Sequence, residues 1–201
     1  REKFAITTAN SINIARLLPQ IFYYFRLYAQ LQKIPRSLTV SVPSGNFGNL
    51  TAGLMAKRMG LPVHKFIAST NINDVVPEYL RTGKYRARPS LSTISNAMDV
   101  GDPSNFVRIC ELFQKNLKKL SHDVYGAAFN DEQTRVSMRN VFHKYGYICD
   151  PHGAVGYLGL LDYLNKNDEI DTAVFLETAH PAKFKNVVEP EISEEVIIPD
   201  R

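Results

Sequence analysis

Val40-Ser41-Val42-Pro43-Ser44-Gly45-Asn46-Phe47-Gly48-Asn49, continued by Leu50-Thr51-Ala52-Gly53-Leu54-Met55-Ala56-Lys57-Arg58-Met59-Gly60, decides the fold. It reads as a buried strand, a turn of small residues, and a helix closed by a glycine. Such a junction aims several backbone N–H groups at one point, at the positive end of a helix dipole, which suits a phosphate. Gly45 and Gly48 let the main chain approach an anion closely. Ser44, Asn46 and Asn49 add neutral hydrogen-bonding groups around it.

Spacing removes two familiar phosphate loops. A Walker A loop ends in Gly-Lys-Ser/Thr, and no lysine lies between Lys33 and Lys57. The dinucleotide fingerprint wants glycines at its first, third and sixth positions, with an acid about 20 residues further on. Here the glycines fall at 45, 48 and 53, and the next apolar run, Val63 to Ser69, ends in Ala-Ser-Thr. A phosphomonoester held by neutral backbone donors remains, beside an ordinary glycine turn between strand and helix.

Apolar spacing places a helix over Asn10 to Gln32 with a kink or an N-terminal turn at Pro19, and strands over Phe4 to Thr8, Leu38 to Val42, Val63 to Ala68 and Thr172 to Leu176. Further helices are expected over Thr51 to Met59, Asn73 to Arg81, Asn105 to Leu120, Asp131 to Tyr145, Gly153 to Leu164 and Pro181 to Val188. Asn130-Asp131-Glu132 is the capping signal of the helix over Asp131 to Tyr145. Thr82 to Asp102, rich in Gly, Pro, Ser and Arg, reads as an irregular excursion. Strands alternating with helices mean α/β with a mostly parallel sheet and flanking helices.

The 201 residues, 44% hydrophobic and 22% charged, are ordinary for a globular chain with one sizeable core. The net charge of +4 is scattered, and its densest group, Lys115, Lys118 and Lys119, reads as a solvated helix face. A nucleic-acid partner is therefore not expected, while a modest positive field favours phosphorylated small molecules. No stretch reaches the roughly 18 apolar residues of a membrane span. Cys110 and Cys149 form no paired motif, as expected of reduced thiols in a cytoplasmic protein. The histidines show no metal-ligand spacing, so no metal site is expected.

Thr178 follows the apolar run Ala173-Val174-Phe175-Leu176, at the strand end where open α/β sheets bind ligands. Its hydroxyl suits a pyridine nitrogen, or equally caps the following turn. Asn10, Ser11 and Arg16 form a polar cluster at the start of the first helix, with Arg16 offering a planar fork to phosphate or carboxylate. His180 is placed to structure the Thr178 turn, Lys183 and Lys185 add positive charge nearby, and Asp99 and Asp102 read as cap or turn residues.

Ser44-Gly45-Asn46-Phe47-Gly48-Asn49 resembles the cofactor-phosphate loop of the threonine synthases of the longer bacterial and fungal type. Further blocks resemble that family in the same order: residues 8–20, residues 95–105, Asp150-Pro151-His152-Gly153-Ala154-Val155-Gly156, and Thr178-Ala179-His180-Pro181-Ala182-Lys183-Phe184. The resemblance implies the tryptophan-synthase-β-like architecture of pyridoxal-phosphate fold type II. It implies pyridoxal 5'-phosphate held by Ser44, Gly45, Asn46, Phe47, Gly48, Asn49 and Thr178, and O-phospho-L-homoserine held by Asn10, Ser11, Arg16 and Asn46. The implied reaction turns O-phospho-L-homoserine and water into L-threonine and phosphate. A related phospho-lyase that ends in a keto acid, or a non-catalytic phosphate-ligand module, remain the alternatives. In that family the Schiff-base lysine precedes all of these blocks, and no lysine here sits in a matching motif. The chain is accordingly expected to be the C-terminal portion of such an enzyme, its large cofactor-binding domain, inactive without the missing N-terminal part.

Overall fold

The computed structural model describes residues 13–167 and 170–199. The expected strand over Phe4 to Thr8, and Asn10 and Ser11, lie outside the described residues. Four strands form one parallel sheet: β1 (Leu38–Pro43), β2 (Lys65–Thr70), β3 (Val124–Ala128) and β4 (Thr172–Phe175), in the order β3-β2-β1-β4. Val40 pairs with Phe66 on one side and Val174 on the other, which fixes the register at the centre. β1 is buried along its whole length, as an apolar central parallel strand must be.

Eight helices accompany the sheet among the described residues: α1 (Leu17–Gln30), α2 (Gly48–Arg58), α3 (Val75–Thr82), α4 (Phe106–Leu112), α5 (Leu117–Asp123), α6 (Asp131–Tyr145), α7 (Pro151–Leu164) and α8 (Lys185–Ile192). One core gathers Leu17, Ile21 and Tyr24 of α1, Leu50 and Leu54 of α2, and Val40, Phe66 and Ala68 of the sheet. The alternating strand position Ile67 faces away, towards Leu160 and Tyr163 of α7. α7 lies very close to the strands because its contact face is glycine. A Cβ at Gly156 would stand 2.9 Å from Pro43 Cγ, and one at Gly159 would stand 1.9 Å from Ser69 Oγ. The Ser41 hydroxyl donates to the Gly156 carbonyl at 2.6 Å and lies 2.9 Å from the Ser69 hydroxyl, so the contact is hydrogen-bonded as well as close.

Three sequence expectations change. The helix expected over Asn105 to Leu120 is two, α4 and α5, because Gln114 and Lys115 adopt left-handed φ of 54° and 55° and break it. β3 was not expected; its Val-Tyr-Gly-Ala-Ala run is short and weakly patterned, and pairing with β2 supplies what propensity does not. The last expected helix is a 3-10 turn, Pro181–Phe184, running into α8. Pro19 sits in the first turn of α1, where its missing N–H costs nothing.

Candidate functional site

The segment 44–49 leaves the C-terminal end of β1, the central position in the sheet, and enters α2. Phe47 is the N-cap of α2, with φ 62° and ψ 15°. A bulky residue in the left-handed region is uncommon and strained, at about 1–3 kcal/mol. Its ring is 4% exposed and meets Phe106 edge-on at 6.2 Å, so packing over-determines the conformation. The positive φ that swings the chain into the helix belongs to Phe47, and Gly45 and Gly48 lie outside the left-handed region.

The two glycines have different work. A Cβ at Gly45 would stand 2.7 Å from the Ala97 carbonyl oxygen and 2.7 Å from Met98 Cα, so Gly45 lets a second loop press against the first. A Cβ at Gly48 would meet only Asn105 Nδ2 at 3.5 Å, Leu17 Cδ2 at 3.7 Å and Gln20 Oε1 at 4.0 Å, ordinary contacts with room left over. Among the described residues, no side chain caps the N-terminus of α2. The N–H groups of its first turn therefore have neither a helical partner nor a cap, which is the arrangement that attracts an anion.

Side chains around the loop brace it. The Ser44 hydroxyl donates to the Val42 carbonyl at 2.8 Å and the Ser44 N–H to the Ser69 carbonyl at 2.8 Å, so both donors of Ser44 are spent inside the fold. Asn46 Oδ1 accepts from the Ser104 N–H at 2.7 Å and from its hydroxyl at 3.1 Å, which fixes the side-chain amide. Asn105 Nδ2 donates to the Asn46 carbonyl at 3.0 Å, and Asn49 Oδ1 accepts from the buried Tyr24 hydroxyl at 2.7 Å. The second loop is itself tied down: Asp99 Oδ1 accepts from Asn71 Nδ2 at 2.8 Å and from Thr93 Oγ1 at 2.7 Å.

A cavity of about 210 Å³ is lined by Pro43 to Leu50, Ala97, Met98, His152 and Thr178. Thr178 is exposed just past the end of β4, the strand beside β1, and lines the same cavity. His152, at the start of α7, was not singled out for chemistry by sequence. It is 3% exposed; its Nε2 accepts from the Ala97 N–H at 3.2 Å while Nδ1 lies 2.5 Å from Asp150 Oδ1. That pairing defines the tautomer, with the proton on Nδ1. Asp150 caps α7 and is 0% exposed. Burial pushes its carboxyl up, but hydrogen bonding, that from His152 foremost, outweighs this and holds it below the usual carboxylate range. Asp150 and Glu177 were missed because a carboxylate near a helix start reads as a cap, and only the fold brings the two together.

Other expected residues fall at varying distances. Arg16 is exposed on the 3-10 turn before α1; its carbonyl accepts from Gln20 Nε2 at 2.8 Å, and Gln20 in turn reaches towards Gly48. Arg16 therefore flanks the loop without lining the cavity. His180 Nδ1 accepts from the Ala182 N–H at 3.1 Å, so it caps the following turn instead of ordering Thr178. Lys185 pairs with Glu189 at 3.1 Å and Glu195 at 3.3 Å, away from the site. Asp102 accepts from the Tyr85 hydroxyl at 2.7 Å, as a turn residue does. Among the described residues no cluster of His, Cys, Asp and Glu is disposed to hold a metal, and no helix is long and apolar enough to cross a membrane.

Against known proteins, the chain is 50% identical to the threonine synthase of Escherichia coli over 195 residues, covering 96% of this chain and 44% of that protein. It is 47% identical to that of Haemophilus influenzae over 201 residues, covering 100% of this chain and 46% of the relative. It thus spans slightly under half the length of the curated relatives it matches. The crystal structure of E. coli threonine synthase superposes with a TM-score of 0.88 at 50% identity, over 95% of this chain and 44% of that one. The pyridoxal-phosphate-bound threonine synthase of Brucella melitensis superposes with a TM-score of 0.86 at 32% identity, over 96% and 46%. The profile of the pyridoxal-phosphate dependent enzymes matches residues 3–178, and the chain belongs to that family.

Proposed function

We propose that the protein carrying this chain is a threonine synthase, converting O-phospho-L-homoserine and water into L-threonine and phosphate. The observation that carries the reading is the uncapped first turn of α2 facing Thr178 across a phosphate-sized cavity. Backbone N–H groups of residues 45–49 hold the cofactor phosphate, with Phe47 fixing their direction and Gly48 leaving them bare. The Thr178 hydroxyl meets the pyridine nitrogen; a neutral partner leaves that nitrogen largely unprotonated. Pyridoxal phosphate supplies, when bound, an electron sink for proton removal from the substrate carbons. Arg16, whose exposed guanidinium can approach a dianion bidentately from the outer side of the loop, takes the substrate phosphate with Asn46 nearby, and Asn10 and Ser11 share that role.

Among the described residues, none of those lining the cavity is a lysine. The amine that holds the cofactor and moves the proton must come from elsewhere in the protein, and the 201 residues alone are proposed to be inactive. Incubating the full-length protein with O-phospho-L-homoserine and analysing both products tests the reading. Threonine and phosphate in equal amounts are expected. Phosphate with a keto acid would assign the phospho-lyase reaction instead, and no phosphate release would leave a ligand-binding role.

A further inference from the structure

The carboxyl group of Glu177, next to Thr178, lies flat on the first turn of α7. A Cβ at Gly153 would stand 1.8 Å from Glu177 Oε2 and 2.3 Å from its Cδ, so only glycine leaves that space. Glu177 Oε1 accepts the Asp150 N–H at 2.9 Å. Asp150 Oδ1 takes the His152 N–H at 2.8 Å and its ring Nδ1 at 2.5 Å. Among the described residues, the other oxygen of each acid, Asp150 Oδ2 and Glu177 Oε2, is buried with no hydrogen-bond partner. Two carboxylates cannot donate to one another, and leaving both oxygens orphaned is costly. One proton on Glu177, donated to Asp150, satisfies both.

We propose that Glu177 is a positioning residue, a neutral carboxylic acid that ties the end of β4 to the start of α7 and so holds Thr178 in place. The tie continues through Asp150 and His152 to the Ala97 N–H, and Ala97 and Met98 press on Gly45. One buried chain of hydrogen bonds therefore joins the two walls of the cavity, Thr178 on one side and the phosphate loop on the other. The acid's pKa agrees: burial, then the hydrogen bond and charge of Asp150, push Glu177 up to about 9. The other titratable groups near it are Tyr147 and Cys149, both neutral at pH 7 and raised by burial and by Glu177 itself, and Tyr23 and Arg26, which line a groove that Glu177 also lines. The role rests on the functional reading above, because what it positions is the pyridoxal-phosphate cavity.

The test uses the full-length protein, with Glu177→Gln, Glu177→Ala and Gly153→Ala. An amide at 177 keeps both contacts of the neutral acid, accepting from Asp150 N–H and donating to Asp150 Oδ2. Glu177→Gln is expected to bind pyridoxal phosphate within about threefold of wild type, and Glu177→Ala about tenfold or more weakly, the scale of one lost buried hydrogen bond. Gly153→Ala, which displaces the carboxyl, is expected to follow Glu177→Ala, and decides the matter if Glu177→Ala does not fold. Carboxyl 13C NMR of glutamate-labelled protein is expected to show one glutamate still protonated at pH 7, its signal absent from Glu177→Gln. An ionised Glu177 at pH 7, a Glu177→Gln as weak as Glu177→Ala, or a Gly153→Ala and Glu177→Ala as tight as wild type would each overturn the proposal. If wild-type protein binds no pyridoxal phosphate, the functional reading falls by itself, and the NMR result still decides whether Glu177 holds the proton.

Discussion

The two ends of the parallel sheet make opposite offers to an anion. At the strand starts, a cleft of about 620 Å³ is lined by Lys57, Arg58, Lys118, Lys119 and His122. At the strand ends, the cavity beside Ser44 to Asn49 is about 210 Å³ and, among the described residues, is lined by no lysine or arginine. By volume and charge the first end is the more inviting, yet much of its charge is already engaged. Lys57 pairs with Asp123 at 3.0 Å and donates to the His64 carbonyl at 3.0 Å, while Arg58 donates to the Leu112 carbonyl at 2.8 Å and stacks over Phe113. The second end has fewer charges and better-fixed geometry: uncapped helix N–H groups, a strained Phe47, and braces from Ser104, Asn105 and Tyr24. Preorganised dipoles cost no reorganisation when an anion arrives, whereas flexible lysines must be ordered first.

The sharpest way to break that contrast is at the glycines. Gly45→Val drives its side chain into the backbone of Ala97 and Met98, so both stability and pyridoxal-phosphate affinity of the full-length protein are expected to fall, by about 3 kcal/mol or more. A Cβ at Gly48 meets only side-chain atoms, none nearer than 3.5 Å among the described residues; for Gly48→Val, thermal unfolding without ligand should stay close to wild type while cofactor retention is lost. Equal loss of stability in both variants would mean that the loop is a packing feature and nothing else.

Arg16→Leu sharpens the comparison further out. One charge-assisted phosphate contact is worth about 1.5–3 kcal/mol, so KM for O-phospho-L-homoserine should rise by one to two orders of magnitude with cofactor affinity unchanged. An unchanged KM would make Arg16 a solvated residue like those at the other end of the sheet.

How far the sequence reveals this contrast depends on range. The β1–loop–α2 junction is legible because strand, turn and helix signals are local and successive in residues 38–60. The same holds for α6, whose cap at Asn130 and Gln133 is a capping box. The buried Glu177–Asp150–His152 chain is not legible, since Asp150 and Glu177 lie 27 positions apart and meet only when α7 lands beside β4. Nor is the role of Gly45, since the residue that needs it to be glycine is Met98, across a separate loop. The break between α4 and α5 escapes because Gln114 and Lys115 are not residues that advertise a left-handed backbone.

Titration of stability separates the buried acid from the exposed charges. Glu177 has a folded pKa of about 9, raised above its ordinary 4.5, so the stability it contributes is fully present below pH 4.5 and is lost as pH rises to about 9. Melting temperature should therefore decline across that window in wild type and decline less in Glu177→Gln. Identical profiles would mean that another group dominates the window.

The smallest effect belongs to the basic cleft. Lys118→Glu with Lys119→Glu should change stability by no more than about 0.5 kcal/mol per site and leave cofactor affinity as it was. A large loss of affinity would move the site to the wrong end of the sheet.

The most direct measurement is a crystal structure of the full-length protein grown with pyridoxal phosphate. The cofactor phosphate is expected within roughly 2.7–3.2 Å of backbone nitrogens among residues 45–49, with the pyridine ring reaching towards Thr178. Phosphate density among Lys57, Arg58 and Lys119 with the loop at Ser44 to Asn49 bare would contradict the account.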